Sequence, residues 1–104
     1  MRLVYIAGPY RASSEWGVSE NIHRASVVAR KYWQLGYAVI CPHCNSAFMG
    51  GIGDDSCFLR GDLSILSKCD MIVMLPRWQE SDGAMMEHIF AQEHGIEIIY
   101  ELLS

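Results

Sequence analysis

The sequence has little positive charge and no long hydrophobic segment. Its 104 residues include 8 Lys and Arg against 12 Asp and Glu, which gives a net charge of −4. Because a protein that binds nucleic acid presents a basic face to the phosphates, a nucleic acid polymer is not an expected partner. The apolar run 3–7 is too short for a membrane span or a signal-peptide core and ends at Gly8 and Pro9, so no membrane association is expected.

The sequence also lacks the glycine-rich motifs that bind nucleotide phosphates. No lysine follows the glycines of segment 43–56, which excludes a P-loop. No strand-type segment is followed by G-x-G-x-x-G, so a dinucleotide site is unsupported. Segment 43–56 is the longest irregular stretch of the chain, and it fits either a binding loop or a simple connection.

The four cysteines show no sign of a disulfide framework. Two of them lie in apolar stretches, where a reduced cysteine serves as a small hydrophobic residue, so we expect free thiols and a cytosolic location. The motif Cys41-Pro42-His43-Cys44 leaves two alternatives open, a thiol oxidoreductase site and a zinc site completed by Cys57. The glycines that follow disfavour the first alternative, since a redox cysteine of that type begins a helix. Ligands crowded on one extended segment converge poorly on zinc, which disfavours the second.

Apolar runs alternate with segments of helical spacing along the whole chain. The spacing is clearest after Ser19, where apolar residues recur every three or four positions until Gly36. The pattern predicts strands at 3–7, 37–41, 69–75 and 96–100, and helices at 19–36, 57–68 and 81–95. Such alternation favours one α/β domain over 1–104, a three-layer sandwich whose four-stranded parallel sheet has the order 2-1-3-4.

This strand order predicts a crevice above the first and third strands. In open α/β sheets, ligands bind beyond the carboxyl ends of the strands, at the point where the strand order reverses. Tyr10 and Arg11 follow the first strand, segment 78–87 follows the third, and Asp62 lies in the upper part of the second helix. Carboxylates, a hydroxyl, aromatic rings and one Arg without a metal-binding cluster suit a small ligand that is aromatic and polar.

Glu87 is the candidate for chemistry on the third helix. A helix capped at Ser81 or Asp82 places Glu87 in its second turn, and helical side chains lean toward the N-terminus. The carboxylate can therefore point back toward the sheet, where apolar neighbours such as Met86 and Ile89 would perturb its basicity. The alternative is a solvated glutamate on a helix surface, which is the commoner situation for this residue type.

Three elements of the sequence together resemble a known superfamily. They are residues 4–10 (VYIAGPY), Asp62 eight residues before Asp70, and Ser81 six residues before Glu87. In this order and spacing they resemble the nucleoside 2-deoxyribosyltransferases and the related 2'-deoxynucleoside 5'-phosphate N-hydrolases. The chain is similar above all to an uncharacterised bacterial and phage branch of that superfamily, through residues 20–25, 42–43 and 78–87.

The resemblance implies a flavodoxin-like half-Rossmann fold and N-glycosidic chemistry without a metal or cofactor. Glu87 matches the family's nucleophile, Asp62 an aspartate in the substrate site, and Tyr5 a tyrosine near the nucleophile. An oxocarbenium-like state at the deoxyribose carbon is the kind that a nearby carboxylate stabilises and can trap covalently. Because family sites lie between subunits, a homodimer or larger homo-oligomer is expected. The residues expected to contact the substrate are Gly8, Pro9, Tyr10, Arg11, His43, Trp78, Asp82 and Gly83.

The chain departs from the transferases at Ser81: the transferases carry an aspartate at this position, whereas the N-hydrolases carry a serine, as this chain does. Asp82 fits either an acid for the leaving base or a helix cap, a position where aspartate is common. Arg11 with its neighbouring serines fits a 5'-phosphate or a solvated loop, and Trp78 fits base stacking or core packing. His43 fits an acid, a ligand contact or a structural loop residue. A binding module that kept the pocket without turnover is the alternative function.

Overall fold

The computed structural model describes residues 1–10, 12–42 and 55–101, and for residues 55–58 the backbone only. Strands and helices alternate, with a short 3₁₀ turn at Trp78–Glu80 ahead of the last helix. The elements are β1 (Leu3–Ala7), α1 (Glu15–Gln34), β2 (Ala38–Ile40), α2 (Asp55–Leu66), β3 (Met71–Met74), α3 (Asp82–Glu93) and β4 (Glu97–Tyr100). The predicted element types are thus confirmed, and each observed strand lies within its predicted range.

The sheet has the order β2-β1-β3-β4, as predicted, and all three strand pairs are parallel. Tyr5 in the middle of β1 is in register with Ile40 of β2 and with Ile72 of β3. Since β1 and β3 are neighbours although α1, β2 and α2 separate them in the chain, the strand order reverses between them. That switch point is where α/β sheets place their ligands.

Helices cover both faces of the sheet and form a three-layer sandwich. On one face, α1 contributes Ala25, Ala29 and Tyr32 to an apolar cluster that includes Val4 and Ile6. On the other face, α2 and α3 pack over a second cluster, whose buried members are Tyr5, Ala7, Leu66, Cys69, Ile72, Met74, Ala84 and Ala91. Strands covered on both faces explain the uninterrupted apolar runs in the sequence.

Helix α1 begins one turn earlier than predicted. We expected Ser19 to open it and residues 10–17 to form a polar loop, whereas Ser14 is the N-cap and its side chain accepts a hydrogen bond from the Gly17 amide at 3.1 Å. Ser14 satisfies the first-turn amide more directly than Ser19, which lies inside the helix. Leu35 is the last apolar residue of the predicted helical pattern, and it was expected to face the core, but it lies beyond the helix end and is exposed. Gly36 follows it at φ 96°, a conformation that favours glycine.

Gly8 allows the ends of β1 and β3 to approach closely. A Cβ at this position would lie 2.6 Å from the Leu75 Cβ, inside van der Waals contact. The two chain segments that leave the switch point therefore pack directly against each other.

Within the described ranges, no helix combines the length and the apolar character that crossing a membrane requires.

Candidate active site

Glu87 is the only buried charged side chain among the described residues, with 7% of its surface exposed. It lies in the second turn of α3 on the face that packs against the sheet, between the buried residues Ala84 and Ala91. A carboxylate in such a position needs a polar partner to offset its lost hydration. The prediction that Glu87 points toward the sheet is therefore confirmed by its burial, and the interpretation as a solvated surface glutamate is wrong.

The partner of Glu87 is the phenol of Tyr5, which donates a hydrogen bond to Glu87 Oε2. Tyr5 is fully buried in the middle of β1, so the acceptor is held against a fixed strand. Burial and the adjacent carboxylate raise the pKa of Tyr5, so the phenol keeps its proton and remains a donor. Burial also raises the pKa of Glu87 to about 7, while the hydrogen bond from Tyr5 opposes that rise and the charge of Asp62 adds to it.

Asp62 of α2 is the second carboxyl of the site. It is half-buried, and burial raises its pKa to about 6. It lies near enough for its charge to raise the pKa of both Tyr5 and Glu87. Two carboxyls with raised pKa values near one hydroxyl are typical of sites that carry out acid–base or nucleophilic chemistry near neutral pH.

Ser81 caps the helix that carries Glu87. Its side-chain oxygen accepts a hydrogen bond from the Ala84 amide at 3.2 Å, and its carbonyl accepts from the Met85 amide at 2.9 Å. The sequence predicted a cap at Ser81 or Asp82, and Ser81 is the cap, whereas Asp82 is the first helical residue and is exposed, so the capping role considered for Asp82 is wrong. The side chain at the N-cap position satisfies the free amides, and that position belongs to Ser81.

The turn that carries Trp78 is built from an unusual backbone conformation. Arg77 immediately before it has φ 68° and ψ 19°, the left-handed region that non-glycine residues rarely adopt. The Arg77 Nε also lies 2.8 Å from the Glu80 carboxylate across the turn. Trp78 packs against the apolar cluster that contains Tyr5, which brings the indole to the same face of the sheet as the carboxyls.

The other predicted site residues are only partly described. Gly8, Pro9 and Tyr10 continue from β1 toward the switch point, where the Tyr10 carbonyl accepts a hydrogen bond from Asn21 Nδ2 at 3.1 Å. Gly83 lies in the first turn of α3, where a Cβ would meet only the Ser81 hydroxyl, at 4.0 Å. Arg11 and His43 lie outside the described residues, as do Cys44 and the side chain of Cys57.

Sequence analysis did not identify His88 and Tyr100 as site neighbours. The imidazole of His88 stacks on the Trp78 indole, with ring centroids 4.3 Å apart and planes inclined by 28°. Its Nε2 lies 2.7 Å from the hydroxyl of Tyr100, at the end of β4. Because His88 directly follows Glu87, the sequence could have placed it near the site. The contact with Tyr100 depends on the pairing of β3 with β4, so no pattern in the sequence around His88 predicts it.

The site offers proton transfer and nucleophilic attack by carboxylate as its chemistry. Among the residues that the structure describes, no three His, Cys, Asp or Glu side chains come together closely enough to hold a metal ion. Among the cysteines with described side chains, Cys69 is a free thiol, and burial raises its pKa to about 11. A thiol with so high a pKa is a poor nucleophile at neutral pH.

Comparisons with known proteins agree on the fold. Residues 2–100 match one family model, described as a domain of unknown function (DUF4406). Among solved structures, the chain is similar to the 2-deoxyribosyltransferase of the psychrotolerant bacterium Bacillus psychrosaccharolyticus, with a TM-score of 0.67 and 17% sequence identity over 98% of this chain and 77% of that one. No curated protein is significantly similar in sequence. At this identity the likeness establishes a shared α/β fold.

Proposed function

The chain belongs to the DUF4406 family, and we propose that it cleaves the N-glycosidic bond of a deoxynucleoside or deoxynucleoside 5'-monophosphate, with Glu87 as the nucleophile. One observation carries the proposal, the buried Glu87 that Tyr5 hydrogen-bonds from the centre of the sheet. A structural role does not require a carboxylate here, because burying one raises its pKa and costs stability. The likeness of the fold to a 2-deoxyribosyltransferase supports glycosyl transfer as the class of chemistry.

In the proposed reaction, one carboxylate oxygen of Glu87 attacks the anomeric carbon of the deoxyribose. The bond between that carbon and the base nitrogen breaks, and its electron pair leaves with the base, which takes up a proton. Tyr5 holds Oε2, so Oε1 is the atom that forms the ester with the sugar. Water or a second base then attacks the same carbon and releases the Glu87 carboxylate, and the choice between them separates hydrolysis from transfer.

Asp62 is the proposed acid that protonates the leaving base. Its raised pKa of about 6 keeps part of the population protonated near neutrality, whereas Ser81 acts as a helix cap. Attack on the sugar needs ionised Glu87, so the rate of base release should rise as the pH increases toward about 7. Protonation of the leaving base needs neutral Asp62, so the same rate should fall as the pH rises above about 6. We expect a narrow bell-shaped profile of base release centred near about pH 6.5. Asp62→Asn should remove the alkaline limb, and an alkaline limb that persists in this variant would exclude Asp62 as the acid.

We also propose that the chain acts as a homodimer or a larger homo-oligomer in the cytosol. The outer face of α3, opposite Glu87, exposes the apolar side chains of Met85, Met86 and Ile89. Adjacent exposed apolar side chains on one helix face are typical of a protein–protein contact. The free thiol of Cys69 is in keeping with a reducing compartment. Analytical ultracentrifugation at assay concentration tests the assembly, and a monomer there would exclude a shared site.

A second candidate function is a nucleotide-binding module without turnover. It is favoured by Ser81, which stands where the transferases carry an aspartate. The Ser81 hydroxyl accepts a hydrogen bond from the Ala84 amide as a helix cap. In that case a nucleoside should bind measurably by calorimetry without release of its base, and Glu87→Gln should leave the binding unchanged.

The decisive experiment is base release from a panel of deoxynucleosides and their 5'-monophosphates, with and without an acceptor base. Glu87→Gln should reduce release by at least about a thousandfold, as removal of a nucleophile does elsewhere. Glu93→Gln is the matched control, because it makes the same change on an exposed residue of the same helix. Intact-mass detection of a glycosyl adduct, absent in Glu87→Gln, would identify the ester. Release that is equal in wild type and Glu87→Gln would refute the assignment.

A further inference from the structure

Three aromatic rings from three different elements meet beside the carboxyl site. Trp78 comes from the turn after β3, His88 from α3 and Tyr100 from the end of β4. The imidazole stacks on the indole at 4.3 Å, and its Nε2 is 2.7 Å from the Tyr100 hydroxyl. The Trp78 and Tyr100 rings are 6.1 Å apart, so each ring of the cluster contacts the other two.

This cluster differs from ordinary core packing. The tyrosine ring is 50% exposed, and the indole and imidazole are both only partly buried. The rings therefore line a surface at the carboxyl end of the sheet, where the proposed substrate would enter. Trp78 also packs against the cluster that contains Tyr5, and His88 directly follows Glu87 in α3.

The backbone next to Trp78 adopts an uncommon conformation. Arg77 adopts the left-handed conformation at φ 68°, and the Arg77–Glu80 ion pair spans the turn. A non-glycine residue in this region costs on the order of 1 kcal/mol, and such conformations persist where the surrounding structure holds a functional side chain. The side chain presented by this turn is the indole.

We propose that His88 and Tyr100 are positioning residues that hold the Trp78 indole as the stacking surface for the nucleobase. This inference rests on the proposed function. The Tyr100 hydroxyl fixes the plane of the imidazole, and the imidazole restricts the rotation of the indole by covering part of it. A planar base then binds a surface that is already ordered, so little side-chain entropy is lost on binding. The aromatic base is recognised here, while the sugar is held at the carboxyls.

The test measures binding of free nucleobases and of 2-deoxyribose by calorimetry, with the chain of residues 1–104. His88→Ala should weaken binding of the bases by about two- to tenfold, the range of one aromatic contact, and should leave 2-deoxyribose unchanged. His88→Phe should restore base binding to within about twofold of the wild type, because it returns a stacking ring. Tyr100→Phe should weaken base binding less than His88→Ala, since the ring remains.

His94→Ala is the matched control. His94 stacks on Phe90 with ring centroids 3.9 Å apart, a similar contact at the far end of the same helix. This variant should bind bases and sugar as the wild type does. If His88→Ala prevents folding, Tyr100→Phe and His88→Phe carry the comparison, because each retains a ring.

Three results would overturn the inference: a wild type that binds none of the bases, a His88→Ala variant that binds the bases as the wild type does, or one that loses bases and 2-deoxyribose equally. The third result would mean that the cluster only supports the fold. Turnover can fail independently of this test, since binding of a free base needs no nucleophile. Base binding that depends on His88, combined with base release that is unaffected by Glu87→Gln, would refute the proposed reaction and leave the stacking surface in place.

Discussion

Replacing Glu87 by glutamine should make the folded chain more stable at alkaline pH, although it should destroy activity. Burial raises the pKa of this carboxyl from 4.5 to about 7. Because the folded-state pKa is the higher one, its contribution to stability is complete below about pH 4.5 and is lost as the pH rises through 7. With about 1.4 kcal/mol for each pH unit, ionisation of the buried group costs the folded state about 3 kcal/mol. Glutamine does not ionise, so the variant avoids this cost, and its side-chain oxygen can still accept the hydrogen bond from Tyr5.

The measurement is the free energy of unfolding in urea at several pH values for wild type, Glu87→Gln and Glu93→Gln. From about pH 4 to about pH 8.5, the wild type should lose about 3 kcal/mol relative to Glu87→Gln. Glu93 is exposed on the same helix, so its variant should follow the wild-type curve. Parallel curves for wild type and Glu87→Gln would show that the carboxylate is as well solvated in the folded chain as in the unfolded one, and the argument for a buried nucleophile would fail.

Two further substitutions test the surroundings of the site. Tyr5→Phe removes the hydrogen bond that lowers the pKa of Glu87, so the optimum of the base-release profile should move to higher pH and the maximal rate should fall; an unmoved optimum would show that the phenol does not stabilise the carboxylate. Gly8→Ala places a Cβ 2.6 Å from the Leu75 Cβ and should destabilise the chain by about 1 to 3 kcal/mol in urea unfolding. Gly83→Ala is its control, because an added Cβ there meets no atom closer than 4.0 Å, and equal losses in both variants would contradict the steric explanation.

The sheet was predictable because its central strands are recognisable in the sequence as short, uninterrupted apolar runs. The runs at β1 and β3 are apolar on both faces, and the chain alternates with helical segments, which together restrict the topology to very few arrangements. The start of α1 was harder to predict. Ser14 and Ser19 are both acceptable caps by residue type, and only the hydrogen bond from the Gly17 amide distinguishes them.

The site was predictable to the extent that its residues occupy the ends of predictable elements. Glu87 follows from its place in the second turn of α3, whereas Tyr5 in β1 was expected only from the resemblance to the deoxyribosyltransferases. The indole of Trp78 was a candidate, but its stack on His88 and the contact to Tyr100 depend on how α3 and β4 lie against each other. Sequence spacing does not encode that relation, since three elements must assemble before the rings meet.

The hydrogen bond between Tyr5 and Glu87 joins residues that are 82 positions apart in the chain. It forms only after β1 and α3 have docked on the same face of the sheet, and closing so long a loop costs entropy that early local structure does not repay. During refolding, activity should therefore appear among the last properties to return. In urea it should vanish with global unfolding rather than ahead of it. The proposed turnover would then serve as a reporter of complete folding.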